Sequence, residues 1–281
     1  MVNFNSFFNF KFSSFTYIFL ILRYRSDIDF VKTFPTKLCL EEEVIDSLNP
    51  EELCKLKTKY NVQEISVGIE YSAILTDNGH VYSINPTTGV VGKKISSDEK
   101  ISLISSGQEH ILMLSEDGRV FSYGNGSRGQ LGRSSLDAQT DKALVIEGLE
   151  GIECVSITAG GWHSMALSKD GDVYVWGWNE CGQLGLKQSK VTIKSEPYPL
   201  EISEDDHFIN ISAGSRHSMA VSENGILFGW GWNKWGQLGL PPNKDKQFYD
   251  SPQVIPIDER VSHISCKFWS SLIETESDDE E

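Results

Sequence analysis

Apolar residues in this chain come in short runs broken by turn signals, and the runs recur in one fixed order. The clearest instance is residues 159–186, AGGWHSMALSKDGDVYVWGWNECGQLGL. It returns at 213–240 as AGSRHSMAVSENGILFGWGWNKWGQLGL and, more loosely, at 106–132 as SGQEHILMLSEDGRVFSYGNGSRGQLG. With Gly160 as the marker, Gly107 lies 53 residues before it and Gly214 lies 54 after it. A further step of 52 lands on Cys266, which places Trp269 where the repeat has its histidine. Gly68 marks a fifth unit, 39 residues before Gly107. Repetition at this spacing predicts stacked supersecondary units.

Within each unit the pattern is that of strands. An apolar run such as Met165-Ala166-Leu167 is followed by the turn Asp170-Gly171 and a return run, Val173 to Trp178, rich in β-branched and aromatic residues. Asn78-Gly79, Asp117-Gly118 and Asn224-Gly225 repeat the turn. Asp-Gly and Asn-Gly between apolar runs are strong hairpin signals, because glycine tolerates positive φ and Asp or Asn nearly does. A Gly-Gln-Leu-Gly stretch then closes the unit, and nothing in it has a helical period. The prediction is an all-β propeller.

The series Gly-x-x-His-Ser, Asp-Gly, Trp-Gly-x-Asn-x-x-Gly-Gln-Leu-Gly resembles the repeat of the regulator of chromosome condensation family. The resemblance covers residues 62–273, with about five legible blades. The family's ring implies up to seven, so degenerate blades in the first 61 residues, an incomplete ring or a shortened gene model remain open. The doubled Trp-Gly-Trp-Asn at 176–179 and 230–233, with Cys266-x-x-Trp269, looks most like one subgroup, whose members partner a Jumonji-type lysine demethylase on chromatin.

Residues 1–31 are dominated by strand formers and read first as strands of a worn blade, with a misjoined exon as the second reading and a membrane anchor as the third. The apolar run at 15–22 is too short to span a bilayer, and Arg23 and Arg25 follow it, which is the wrong charge order for a secretory signal. Asn49 with Pro50 predicts a short helix start before the first legible unit. Residues 274–281 read as an acidic, disordered tail.

Charge narrows the partners. Forty Asp and Glu against 25 Lys and Arg leave a net charge of −15, which disfavours unaided binding to a phosphate backbone. Acidity suits a basic partner such as a histone tail, or serves solubility alone. Five cysteines with no Cys-x-x-Cys pair argue against a disulfide framework or zinc ribbon and for a reducing compartment.

No catalytic constellation emerges, and no cofactor or metal is expected. Gly124-Asn-Gly126-Ser-Arg-Gly129 fits a dinucleotide fingerprint, but that fingerprint needs a helix to begin there, and Gly-Gln-Leu-Gly follows at once. His110, His163 and His217 hold one place in successive units, where a ring of metal ligands competes with imidazoles hydrogen-bonded to backbone within or between blades. Tyr71 and Trp269 at the same place favour the structural account. Trp176 and Trp230 are expected in the core. Trp178 and Trp232 share their face by strand alternation unless the intervening glycine marks a bulge. Together with Trp162, Arg216, Lys234 and Trp235 they form the candidate partner-binding set.

The resemblance implies a non-enzymatic, chromatin-associated adaptor in the nucleus. It would bind a Jumonji-type demethylase, and with it histone H3 or the nucleosome, in support of histone demethylation and chromosome segregation. It would not engage a membrane or a specific nucleic-acid sequence directly. Two further classes follow from the wider family: a guanine nucleotide exchange factor for a Ran-type small GTPase, and a substrate-recognition subunit of a ubiquitin ligase or trafficking complex.

Overall fold

The computed structural model describes residues 61–85, 90–96, 98–136, 142–187, 191–202, 207–240 and 246–275. The readings made for residues 1–60 and 276–281 lie outside them. Strands β1 (Val62–Ser66), β2 (Ser72–Thr76), β3 (Val81–Ile84) and β4 (Val91–Lys94) form the first sheet. The second contains β5 (Ile101–Ser106), β6 (His110–Ser115), β7 (Val120–Gly124) and β8 (Leu144–Val145). The third contains β9 (Cys154–Ala159), β10 (His163–Ser168), β11 (Val173–Trp178) and β12 (Ile193–Pro199). The fourth contains β13 (Phe208–Ala213), β14 (His217–Ser222), β15 (Leu227–Trp232) and β16 (Phe248–Val254). The last pairs β17 (Val261–Lys267) with β18 (Ser270–Thr275). Every pairing is antiparallel between chain neighbours, so each sheet is a meander and therefore a propeller blade. Glu274 and Thr275 belong to β18, which runs past the expected end of the repeats.

The central strands show no apolar–polar alternation, and the reason is that both of their faces are covered. In β6, β10 and β14 all six residues are buried. Met165 and Leu167 pack toward the fourth sheet with Ile211, Phe228 and Trp230, while Ala166 packs the other way with Leu112, Ile146 and Trp176. A strand packed on both sides reads as a continuous apolar run. At about 1.5–3 kcal/mol for each large side chain buried, these inter-blade layers carry the fold.

The blade turns follow the expected chemistry: Gly79, Gly118, Gly171 and Gly225 all have φ between 77° and 86°. Inner strands meet their neighbours through hydroxyls two residues before each marker glycine. Ser66, Ser105, Thr158 and Ser212 accept the backbone N–H of Ser106, Ala159, Ala213 and Cys266 in the next blade, at 2.7–3.2 Å.

Candidate functional site

The marker glycines gather at one mouth of the molecule. A Cβ on Gly68 would stand 2.2 Å from the Gly107 carbonyl oxygen, and one on Gly107 would stand 2.3 Å from that of Gly160. On Gly160 it would meet His163 Cε1 at 2.2 Å, so the imidazole lies against the glycine. Backbone bonds run from blade to blade around this mouth. Glu70 N–H donates to Gln108 O, Gln108 N–H to Gly161 O, Gly161 N–H to Gly214 O and Ser215 N–H to Phe268 O, at 2.6–3.1 Å.

Beneath the mouth each histidine clasps the next blade. His110 Nε2 lies 2.8 Å from Ser164 Oγ, His163 Nε2 2.8 Å from Ser218 Oγ, and His217 Nε2 2.9 Å from Ser271 Oγ. Each serine spends its own proton on a glutamine carbonyl of the Gly-Gln-Leu-Gly stretch: Ser164 on Gln130, Ser218 on Gln183, Ser271 on Gln237. The imidazole Nε2 must therefore be the donor to serine. That is the reverse of a nucleophile-activating pair, in which histidine takes the serine's proton. Burial drives His110 and His163 to a pKa of about 3 and His217 to about 4, with Lys267 adding to the effect at His110. Neutral, fully buried and bonded to a serine of the next blade, these histidines are clasps. Among the described residues no group of His, Cys, Asp and Glu could hold a metal.

Tryptophan joins the same hubs. Trp176 Nε1 donates to Gln130 O at 3.0 Å and Trp230 Nε1 to Gln183 O at 2.9 Å, and both rings are fully buried. Asn179 Oδ1 accepts from Leu184 N–H and Asn233 Oδ1 from Leu238 N–H, which folds the loop so that the glutamine carbonyl faces the next blade. The Trp-Gly-x-Asn-x-x-Gly-Gln-Leu-Gly motif is thus one hydrogen-bonded device.

The last unit corrects the sequence reading by one residue. Cys266 pairs across the ladder with Ser271 as Ala213 pairs with Ser218, so Cys266 stands for the alanine and Lys267 for the glycine. Ser270 then takes the histidine's place, and Trp269 matches Trp162 and Arg216 at the tip of the inner turn. The Lys267 ammonium crosses the mouth to donate to Ser106 O in the second blade, at 3.1 Å, and burial lowers its pKa to about 8.

Gly177 (φ 105°) and Gly231 (φ 92°) sit where the register of β11 with β12 and of β15 with β16 shifts. The bulge turns Trp178 and Trp232 out of the core, where both are half-buried on the mouth face. Of the candidate set, Trp162, Trp178 and Arg216 come together. Trp162 and Trp178 meet edge to face at 5.4 Å, and the Arg216 guanidinium lies 4.9 Å from the Trp178 ring and 5.8 Å from Trp269. Trp232 stands one blade further on. Lys234 stacks on Trp235, which is 73% exposed.

Three members of the site lie outside the candidate set. Glu109 accepts from Trp162 Nε1 at 2.7 Å and pairs with Arg128 at 3.3 Å, and Arg128 stacks on Trp162 at 4.9 Å. Trp269 is the third. Glu109 and Trp269 hold the position of Trp162 and Arg216 in their own turns, which was the available signal. A strip of alternating rings and charges therefore crosses four blades.

A model of the RCC1-like domain family matches residues 40–279. The mouse RCC1 domain-containing protein 1 is 35% identical over 217 residues, covering 64% of this chain and 56% of that protein, so the chain spans about half the relative's length. Among solved structures, yeast RCC1 (Prp20), bound to Kap60, superposes with a TM-score of 0.67 at 23% identity over 80% of this chain and 56% of that one. Prp20p from Saccharomyces cerevisiae, solved in a study of its binding to Gsp1p and histones, gives a TM-score of 0.53 at 22% identity, covering 83% and 73%.

Proposed function

Because the chain belongs to the RCC1-like domain family, we propose that it is a non-enzymatic, chromatin-associated adaptor whose mouth face docks a Jumonji-type lysine demethylase in the nucleus, in support of histone H3 demethylation and chromosome segregation. The observation that carries this reading is the strip from Arg128 through Trp162, Trp178 and Arg216 to Trp269. Half-buried tryptophan and arginine held rigidly in one another's company are the residues that anchor protein interfaces. The polar pairs that resemble catalytic groups, His with Ser, are consumed in joining blades. Purification of the tagged chain from nuclear extract should recover a demethylase in stoichiometric amount. Replacing Trp178 and Arg216 by alanine should reduce recovery at least tenfold without lowering the yield of folded protein. Absence of any demethylase from the wild-type eluate would sink the adaptor reading.

A second reading, a nucleotide exchange factor for a Ran-type GTPase, is favoured by the likeness in fold to Prp20p, a protein studied for Gsp1p binding. Acceleration of nucleotide release from such a GTPase at substoichiometric concentrations of this chain would put that reading first.

A further inference from the structure

The two faces of the propeller carry opposite charge. The segments joining strands at the mouth, with Lys267 at the end of β17, hold eight described lysines and arginines against three carboxylates. The segments joining strands on the far face hold fourteen carboxylates against four cations. Among the described residues, the acidity of the strand-joining segments therefore belongs to the far face.

At the centre of the mouth is a shallow, open depression of about 20 Å³, room for one small polar group, walled by the glycine turns and by Ser106, Ser215, Lys267 and Phe268. Among the described residues no carboxylate lines it. Two of its polar side chains are donors without a full set of acceptors. Lys267 Nζ, with three protons to give, donates to Ser106 O. Ser215 Oγ is buried with no partner, and so, on the adjoining strip, is Arg216 Nε. Burial also depresses the Lys267 pKa, so a negative charge beside it would restore what desolvation removes.

We propose that the mouth is a receptor for an acidic segment of a partner protein, with one carboxylate entering the central depression to meet Lys267 and Ser215 while a neighbouring one reaches Arg216. This goes beyond the adaptor reading and does not depend on which protein the partner is. Charge complementarity selects the occupant. Thr275, the last described residue, pairs with Val261 at the end of β17 remote from the mouth. A nucleic-acid backbone would need an unbroken row of cations. Here Glu109 pairs with Arg128, rings separate the cations, and the net charge of −15 repels a long polyanion.

The test uses the full 281-residue chain with fluorescein-labelled octaglutamate, octalysine and an oligothymidylate of similar length, followed by anisotropy. Octaglutamate should bind the wild type and weaken at least tenfold in Lys267→Gln and, separately, in Arg216→Gln. Lys169→Gln, on the far face, should leave binding unchanged. Thermal melts confirm that each variant is folded, and Arg216→Gln keeps the test decisive if Lys267→Gln is not. Failure of octaglutamate to bind, or binding indifferent to both variants, would overturn the proposal. So would preferential binding of the oligothymidylate through the same two residues. Light scattering that shows a wild-type dimer lost in either variant would assign the mouth to a second copy of the chain instead. A demethylase missing from nuclear eluates fails the adaptor reading alone and leaves these outcomes untouched.

Discussion

Three junctions between neighbouring blades are held by a histidine, a serine and a glutamine carbonyl in a row; the first junction is built from oil. There Tyr71 stands where the others have histidine, and its ring meets Tyr123 edge to face at 5.7 Å. Ile111, 1% exposed, stands where they have serine. Both positions differ together, and no Gly-Gln-Leu-Gly stretch precedes that junction to offer the carbonyl. The lesson is that the clasp is all or nothing. A buried imidazole with no acceptor for its proton costs more than an apolar contact of the same size, so a junction that lacks one member discards the rest.

The harshest way to break the comparison is to remove one member of a polar junction. Ser218→Val leaves His163 Nε2–H buried and unpaired, while Gln183 O keeps the Trp230 donor. Urea unfolding should register a loss of about 2–3 kcal/mol. The matched change at the apolar junction, Ile111→Val, removes one methylene and should cost only about 1 kcal/mol. Equal losses would mean that the clasp contributes packing alone.

A gentler probe is pH. The folded-state pKa values of about 3 for His110 and His163 and about 4 for His217 lie below the ordinary 6.5. Between those limits the unfolded chain binds the additional protons, so stability is whole above about pH 6.5 and drains as pH falls toward 4. Each imidazole contributes a slope of at most roughly 1.4 kcal/mol per pH unit. Converting a polar junction to the apolar kind, with His163→Tyr and Ser218→Ile together, should remove one proton's share of that slope between pH 6 and 4.5. An unchanged slope would show that His163 titrates alike in both states.

How much of this was legible in the sequence depends on the distance over which each signal acts. Hairpins announced themselves because Asp170-Gly171 and its copies are local, and the core role of Trp176 and Trp230 followed from their place in a repeated strand. The clasp did not, because His163 and its serine are 55 residues apart and belong to different copies of one motif. Only the joint change at Tyr71 and Ile111 hinted at it. The last unit was misaligned by one residue because it has no glycine to mark the turn, and period alone does not fix register. Its ladder does, through Cys266 opposite Ser271. Net charge also hides its own distribution. The sum of −15 says nothing of placement, and the described carboxylates of the strand-joining segments gather on the face opposite the tryptophans.

The smallest expected effect separates clasp from surface. Trp176 and Trp178 are two residues apart, yet the bulge at Gly177 gives one to the junction and the other to the mouth face. Trp178 rests edge-on against Trp162 and under Arg216, whereas Trp232, its counterpart one blade on, has no ring or guanidinium stacked on it among the described contacts. An aromatic pair and a cation–π contact at a partly exposed site are each worth roughly 0.5–1 kcal/mol. Trp178→Ala should therefore destabilise the fold by about 1 kcal/mol more than Trp232→Ala, with neither approaching the cost of breaking a clasp. Should the two variants melt together, the strip would be a set of neighbours rather than a coupled surface. Arg216 would then be held by Trp269 and the Cys181 sulfur, 3.7 Å from its Nη1, rather than by the tryptophan beneath it.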